Sequence, residues 1–346
     1  MDPSDRDAEP VGLRDRFWKS WVPPAAAFGA FAAFVAAAFR LRPDQPAAAK
    51  GARPAGTPNP GAQAATPPRS FPRRYGQSGV LGDARSASPF RRSLSGIAIG
   101  PGDNLHALGD DEVRVFDPSG SLVRKWRAPE KAECLAVGPD GRVYLGVSGR
   151  VEICDATGTR VGTFAAGDAG RPASVTAIKI FGDTILVADA SARLVRRYDD
   201  RGRQVGLIGN RHKTGSFMLP NGSLDIVVDS KGIVFATDTG RHQVTSWTLD
   251  GAPVGRFGAF GMVKAEDFVG CCNPVNLALI DDGTIVTAEK MVARVKVYGP
   301  DRSLLAVIGP EHFDPNCVHI HLAVDSRGRI FAADPVRREI KIFERA

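Results

Sequence analysis

The sequence predicts an all-β fold, a six-bladed β-propeller over residues 75–346, because one short pattern recurs from about residue 93 to the C-terminus. Each copy contains short β-runs and ends in an aromatic residue or a cysteine, and these end positions are 38, 44, 49, 51 and 45 residues apart. The end positions are Phe116, Cys154, Tyr198, Trp247, Tyr298 and Phe343. Six copies predict six blades, with this column of residues in the core between neighbouring blades.

The strands within each copy are predicted from alternating apolar positions, such as Val295 with Val297 and Ile340 with Ile342. Turn residues separate the strands, as in the segment Pro139-Asp140-Gly141. Glycine accepts a positive φ there, and the aspartate caps its own turn through its side chain. The pattern therefore favours antiparallel hairpins.

Ring closure is predicted from where the last copy ends. The sixth copy has strands near 320–324, 330–333 and 339–343, and then the chain stops without an outer strand. We expect the missing strand to come from residues 75–90, because closing the ring removes the two free sheet edges that would otherwise invite aggregation.

A column of acidic residues closes the second β-run of the four clearest copies. Its members are Asp189, Asp238, Glu289 and Asp334. We expect them to accept hydrogen bonds from the amides of their own hairpins, with Arg294 and Arg338 as neighbours in two of those hairpins.

The fourth copy carries the fullest version of the repeat. It reads Gly209, then Gly215-Ser216-Phe217, Pro220, Ile226-Val227-Val228-Asp229, Gly232, Val234-Phe235-Ala236-Thr237-Asp238 and Val244. This pattern resembles the NHL repeat, and blades 4 to 6 match best. The resemblance implies an NHL-type six-bladed propeller. NHL propellers bind proteins, nucleic acid or small molecules, and a few relatives are metal-dependent lyases or hydrolases, so the likeness leaves function open.

The first 74 residues differ in composition from the rest. Residues 1–20 are polar, and residues 21–39 contain no charge, so a helix over 21–40 of about 30 Å would cross a bilayer core. We expect a single-pass membrane protein with a signal anchor and an extracytoplasmic propeller, although a cleaved signal peptide or an Ala-rich coil stays open. Residues 41–74 form a Pro/Ala/Gly-rich linker that we expect to be disordered.

Most of the net positive charge of the chain lies in its N-terminal part. The chain has a net charge of +7, but residues 91–346 hold 33 Lys and Arg against 31 Asp and Glu. A near-neutral propeller lacks the basic stripe that nucleic-acid binding requires, so nucleic acid is not an expected partner. The basic flanks of residues 21–40 fit anionic lipid instead.

Chemistry is expected on the face where the loops between blades meet the hairpins between second and third strands, because binding residues concentrate on loops held by a rigid scaffold. The candidate ligand-binding residues on this face are His212, Arg241, His242, Lys290, Arg294, Cys271, Cys272 and Cys317. The three cysteines offer soft ligands for Zn or Cu. A Cys272–Cys317 disulfide or simple packing are the competing interpretations.

A second candidate site lies at the mouth of the central channel. Asp225, Asn276 and His321 occupy equivalent positions at the first strands of blades 4, 5 and 6. They are candidate ligands for a divalent metal such as Zn, Cu or Ca.

These observations give two hypotheses of different class. The first is a membrane-tethered propeller that binds a protein or small ligand through its loop-rich face. The alternative is a metal-dependent lyase or hydrolase with its site at the channel mouth. The sequence contains no nucleophile elbow and no phosphate loop to support catalysis further.

Overall fold

The computed structural model describes residues 71–209, 215–280 and 282–346, which form six four-stranded antiparallel sheets. The strands are β1 (Tyr75–Leu81), β2 (Gly96–Ile99), β3 (Leu105–Gly109), β4 (Glu112–Phe116), β5 (Leu122–Arg127), β6 (Cys134–Val137), β7 (Val143–Val147), β8 (Arg150–Cys154), β9 (Arg160–Ala165), β10 (Gly167–Asp168), β11 (Arg171–Pro172), β12 (Val175–Phe181), β13 (Thr184–Asp189), β14 (Leu194–Tyr198), β15 (Gln204–Ile208), β16 (Ile226–Val228), β17 (Val234–Asp238), β18 (Gln243–Trp247), β19 (Pro253–Phe257), β20 (Asn276–Leu279), β21 (Ile285–Glu289), β22 (Arg294–Tyr298), β23 (Leu304–Ile308), β24 (His321–Val324), β25 (Ile330–Asp334) and β26 (Glu339–Arg345).

Blades 1 to 5 take their four strands in chain order, as β2–β5, β6–β9, β12–β15, β16–β19 and β20–β23. The two-residue strands β10 and β11 pair with each other between blades 2 and 3. Short 3-10 turns occupy Pro101–Asp103, Thr239–Arg241 and Pro310–His312. The prediction of an all-β, six-bladed propeller is confirmed.

Blade 6 is closed by the two ends of the domain. Strand β1 pairs with β26, so that Tyr75 lies opposite Arg345 and Leu81 lies opposite Ile340. The sheet therefore runs β24, β25, β26, β1 from the centre outwards. The prediction that residues 75–90 supply the missing outer strand is confirmed.

Apolar side chains fill the spaces between neighbouring blades. Phe116 of blade 1 packs in one cluster with Phe331 of blade 6, and Tyr298 of blade 5 packs with Phe235 of blade 4. All six members of the predicted column are buried. The alternation in the sequence thus identified the inter-blade core correctly.

The tight turns have the predicted chemistry. The carboxylate of Asp140 accepts a hydrogen bond from the Arg142 amide at 3.0 Å, and Gly141 takes φ +80°. In blade 4 the Asp229 carboxylate accepts hydrogen bonds from the amides of Lys231 and Ile233 at 2.9 and 2.8 Å. Each aspartate thus satisfies turn amides that the strand ladder leaves unpaired.

The acidic column requires a partial correction. Asp334 accepts hydrogen bonds from the amides of Val336 and Arg337 in its own hairpin, as predicted. Asp238 instead accepts a hydrogen bond from the Met218 amide at 2.8 Å, so it holds the loop that enters its blade. Glu289 does the same with the Val269 amide at 2.9 Å. The sequence of the hairpin alone does not predict these contacts, because the partner amides lie about 20 residues earlier in the chain.

The predicted N-terminal regions lie outside the described residues. This applies to residues 1–20, to the transmembrane helix over 21–40 and to the linker over 41–74 except for its last four residues. Within 71–209, 215–280 and 282–346, no helix has the length and apolar character needed to span a membrane.

Candidate functional site at the channel mouth

Six innermost strands surround the axis of the propeller, one from each blade. The residues at equivalent positions near their first ends line one narrow cavity. They are Gly96, Cys134, Ala177, Asp225, Asn276 and His321. The structure therefore brings the three predicted metal-site residues together on one wall, while blades 1 to 3 place small side chains at the equivalent positions.

The other end of the channel carries a ring of aliphatic side chains, and Lys179 also contributes to its lining. Three residues further along each innermost strand, an aliphatic side chain lines a cavity of about 220 Å³. These side chains belong to Ile99, Val137, Ile180, Val228, Leu279 and Val324. The channel thus has a polar mouth and a ring of aliphatic side chains at its other end.

Asp225 is held firmly at this mouth. Its Oδ2 accepts hydrogen bonds from the Leu277 amide at 2.8 Å and from Asn276 Nδ2 at 3.2 Å, and its Oδ1 accepts one from the Ile226 amide at 2.8 Å. Burial raises the pKa of this carboxyl, although the Lys179 ammonium and these hydrogen bonds oppose the shift. Asp225 is therefore a preorganised acid with an elevated affinity for its proton.

His321 is neutral at physiological pH. Burial, together with the neighbouring His319 ring, lowers its pKa to about 3. The two rings stack with their centroids 6.2 Å apart. Among the described residues nothing forms a hydrogen bond with the His321 ring, so its nitrogens can bind a ligand as a neutral imidazole.

Asn276 contributes a second unfilled group. Its Nδ2 donates to Asp225, but its Oδ1 is buried and has no hydrogen-bond partner in the described part of the chain. A buried acceptor without a partner is unfavourable, and such atoms in native folds are commonly explained by an ion, water or ligand.

A wider vestibule lies above these residues. Its volume is about 290 Å³, and loop residues including Ser95, Glu133, Ser223 and His319 contribute to its wall. A cavity of this size admits a small molecule of several heavy atoms. The vestibule and the narrow cavity share Asp225, Asn276 and His321, so both belong to one site.

The residues predicted on the loop face are dispersed over several hairpins. The guanidinium of Arg241 lies 2.6 Å from Asp238, and that of Arg294 lies 2.8 Å from Glu289, so both stabilise loops. The His242 ring packs edge-on against Phe260. The Lys290 amide donates to Asn273 Oδ1 at 2.9 Å. His212 lies outside the described residues.

The hairpin partner of Asp334 also differs from the prediction. Arg338 adopts φ +55°, and the neighbouring Arg337 places its Nε 4.0 Å from Asp334 and donates to the carbonyl of Phe313 at 3.0 Å. Arg338 is exposed at a left-handed position of the turn, and Arg337 holds the entering loop of blade 6.

The cysteines do not assemble into a metal site. All five are free thiols, with Cys271 exposed and Cys272 and Cys317 buried. Cys317 Sγ donates a hydrogen bond to the carbonyl of His319 at 2.9 Å, and burial raises its pKa to about 12. Burial and contact with Cys271 also raise the pKa of Cys272. Protonated thiols are poor metal ligands, and within the described ranges no three His, Cys, Asp or Glu side chains are grouped to hold an ion.

Lys179 and His319 are features of the mouth that the sequence reading did not assign to it. Lys179 lies two residues after Ala177 on β12 and borders both the narrow cavity and the apolar end. The alignment of the first strands could have placed Lys179 near the channel, because it lies two residues after the Ala177 position. The stacking of His319 on His321 had no such signal, because the loop before β24 sets it.

The fold and the mouth define the chain as a six-bladed β-propeller with a polar site at its axis. No protein-family model matches the chain. A gluconolactonase from Zymomonas mobilis is 23% identical over 238 residues, which cover 63% of this chain and 60% of that relative. The chain thus matches about three fifths of the relative's length.

Two solved structures share the fold. A streptogramin B lyase is 11% identical with a TM-score of 0.54, over 79% of this chain and 98% of that one. A protein of unknown function from Bacteroides thetaiotaomicron is 17% identical with a TM-score of 0.59, over 76% of this chain and 72% of that one. At such identities these likenesses show the propeller fold alone.

Proposed function

We propose that the protein binds a small polar ligand at the mouth of its central channel, through Asp225, Asn276 and His321. The observation that carries this proposal is the unpartnered Oδ1 of Asn276 beside a neutral His321 ring on one cavity wall. Both groups are left without partners by the described protein atoms, and a ligand would satisfy both at once.

The direction of ligand entry follows from the two ends of the channel. The vestibule opens among the loops, whereas the opposite end presents six aliphatic side chains. At that end a polar ligand would meet six aliphatic side chains and Lys179, whereas the vestibule offers several polar side chains, among them Glu133, Ser223 and His319. We therefore infer entry from the loop face.

A divalent cation fits the same residues. A carboxylate oxygen of Asp225, the unpartnered amide oxygen of Asn276 and an imidazole nitrogen of His321 are donors that Zn²⁺ or Ca²⁺ accept in proteins. A bound ion there would polarise a carbonyl or ester oxygen. The three residues would hold it and leave further coordination positions for substrate.

A hydrolase or lyase acting on a cyclic ester is the second candidate. It is favoured by a carboxyl of raised pKa beside an uncharged imidazole at one site, because the carboxyl can hold a proton for donation and the imidazole can accept a hydrogen bond from a substrate. The name of the gluconolactonase, which is 23% identical, points to hydrolysis of a lactone, and the streptogramin B lyase, which shares the fold, is named as a lyase.

The assignment to the NHL type and the membrane tether belong to this proposal as well. The repeat in blades 4 to 6 supports the first, and the uncharged run over 21–39 supports the second. We propose a single-pass anchor with the propeller outside the cytoplasm, so that the site works close to a membrane surface. A protein partner on the loop-rich face remains compatible with ligand binding at the axis.

The test uses fragment 71–346, which contains every described strand and the closing strand β1. Metal content after purification without chelator is measured together with Zn²⁺ and Ca²⁺ titrations and a lactone-hydrolysis panel. We expect the unsubstituted fragment to bind metal stoichiometrically. The affinity for that metal should fall at least tenfold in His321→Ala and in Asn276→Ala. His312→Ala is the matched control, since His312 faces Gln77 outside the channel.

Equal metal binding in all three variants would refute the cation site. Metal binding without turnover on any lactone would leave the binding function and remove the second candidate. A folded fragment that neither binds metal nor acts on any lactone of the panel would overturn the proposal.

A further inference from the structure

The loop between blades 4 and 5 presents an apolar tip to solvent. Phe260, Met262 and Val263 are 59%, 76% and 90% exposed, and Val263 is the most exposed large apolar side chain of the described residues. Lys264 follows directly and is also exposed. Single exposed apolar residues are ordinary on a protein surface, but three within four positions on one tip mark an interaction site.

The base of this loop is held rigidly. Phe268 is fully buried among Val244, Phe257 and Tyr298 of the flanking blades, and its amide donates to the carbonyl of Ala259 at 2.9 Å. The loop is therefore closed by a bridge between its two ends, as the pairing of Phe260 with Phe268 also shows.

Charged groups fix the loop between tip and base. The Asp267 carbonyl accepts hydrogen bonds from Lys296 Nζ at 2.7 Å and Arg294 Nη2 at 2.9 Å. The Asp267 carboxylate accepts one from the Lys264 amide at 2.9 Å. The tip is thus presented in a preorganised conformation, and docking it would lose little conformational entropy.

The N-terminal chain joins the propeller beside this loop. Phe71 and Pro72 line one groove together with Ala265, Glu266 and Leu304. The Arg73 amide donates to the Leu305 carbonyl at 2.9 Å, which fixes the chain there. The described chain therefore begins in a groove whose wall lies two residues from Val263.

We infer that the tip Phe260–Lys264 docks onto the surface of a lipid bilayer, the one that the N-terminal segment is proposed to enter. This inference rests on the membrane tether of the proposed function. The described chain begins in the groove that this loop borders, so the point where the linker joins the propeller lies beside the loop and favours its approach to that membrane. Apolar side chains would enter the headgroup region while Lys264 meets lipid phosphates.

A bilayer fits the tip better than a second copy of the chain or another folded protein. A stable protein interface buries about 800 Å² on each partner. Three side chains on one narrow loop present far less, but insertion into lipid needs only protruding apolar groups. Such insertion is weak alone and becomes effective when a tether raises the local concentration of the loop at the surface.

The experiment supplies the tether artificially. Fragment 71–346 with an N-terminal hexahistidine tag is held on vesicles of phosphatidylcholine and phosphatidylglycerol that contain a nickel-chelating lipid. Val263→Trp reports insertion through a blue shift of its emission and through quenching by brominated lipids. Val161→Trp is the matched control, because Val161 is 54% exposed on β9 of blade 2.

The fluorescence of each introduced tryptophan is obtained by subtracting the emission of the unsubstituted fragment. We expect brominated lipids to quench that of Val263→Trp at least three times more strongly than that of Val161→Trp. Adding Met262→Asp should abolish the difference. Equal quenching of the two tryptophans, or quenching that survives Met262→Asp, would overturn the inference. Since the nickel lipid holds the fragment, a missing native anchor cannot produce either result, and membrane fractionation of the full chain tests that anchor separately.

Discussion

The ammonium of Lys296 lies 2.8 Å from the carboxylate of Glu289, and neither side chain has any exposed surface. Arg294 approaches the same carboxylate at 2.8 Å, and the Val269 amide donates to it at 2.9 Å. Glu289 thus connects strand β21, strand β22 and the loop that enters blade 5. The equivalent acids of blades 4 and 6 bind their entering loops in the same way. The acidic column therefore fixes the loops around the channel mouth.

Removal of one partner from this buried pair should be strongly destabilising. We expect Lys296→Ala to lower the free energy of unfolding by about 3–5 kcal/mol, because it leaves part of the Glu289 charge buried without compensation. Urea unfolding followed by circular dichroism measures the change. Lys125→Ala is the control, since Lys125 pairs with Glu112 at 3.5 Å on the exposed surface and should contribute at most about 1 kcal/mol. A similar small loss in both variants would contradict the role assigned to Glu289.

The neutral His321 predicts a pH dependence of stability. Its pKa is about 3 in the folded chain and 6.5 in the reference state, so the unfolded chain binds more protons between these values. Stability contributed by the neutral ring is present above pH 6.5 and is lost as the pH falls towards 3, by up to about 1.4 kcal/mol per pH unit. The unfolding free energy of His321→Gln should fall less steeply over that range. Parallel pH profiles for the two proteins would show that the ring is not buried as a neutral group.

The loop that carries Phe268 should tolerate no side chain at Gly258. Gly258 has φ +93°, and a Cβ there would lie 2.3 Å from the Phe268 ring. We expect Gly258→Ala to destabilise by about 2 kcal/mol or more, through strain added to a clash with a buried ring. Gly222→Ala is the matched control, since its φ is +65° but no atom lies within 4 Å, and its cost should stay near 1 kcal/mol. Thermal unfolding of the two variants gives the comparison, and equal losses would mean that the ring moves aside freely.

Strand register explains why much of the channel could be predicted from the sequence. Asp225, Asn276 and His321 share one position in the repeat, and equivalent positions of a closed ring must meet at its axis. Strand register does not determine which hydrogen-bond partners each of these side chains finds. That Asn276 Oδ1 lacks a partner while Asp225 has three depends on contacts across two blades.

Loops show the same limit. The length of the loop over 259–273 marked it as prominent, but its rigidity depends on Lys296, which lies more than 20 residues later in the chain. The pairing of Asp334 with Arg337 instead of Arg338 likewise depends on the conformation of the turn, in which Arg338 is left-handed. The repeat length and the alternation of apolar residues therefore predict the propeller scaffold. The conformation of its loops and channel mouth depends on polar contacts between residues far apart in the sequence.

Closure by β1 yields the last prediction, which concerns the whole ring. Residues 75–81 pair with β26 along its length, and Leu81 packs against the apolar cluster shared by blades 1 and 6. A fragment over 83–346 would expose the backbone edge of β26 and open part of that core. We expect it to lose cooperative unfolding and to form soluble oligomers, whereas fragment 71–346 stays monomeric. Light scattering after size-exclusion chromatography, with unfolding curves for both fragments, makes the test. A monomeric 83–346 fragment of unchanged stability would mean that the inner strands alone hold the ring, and β1 would then be a cover rather than a closure.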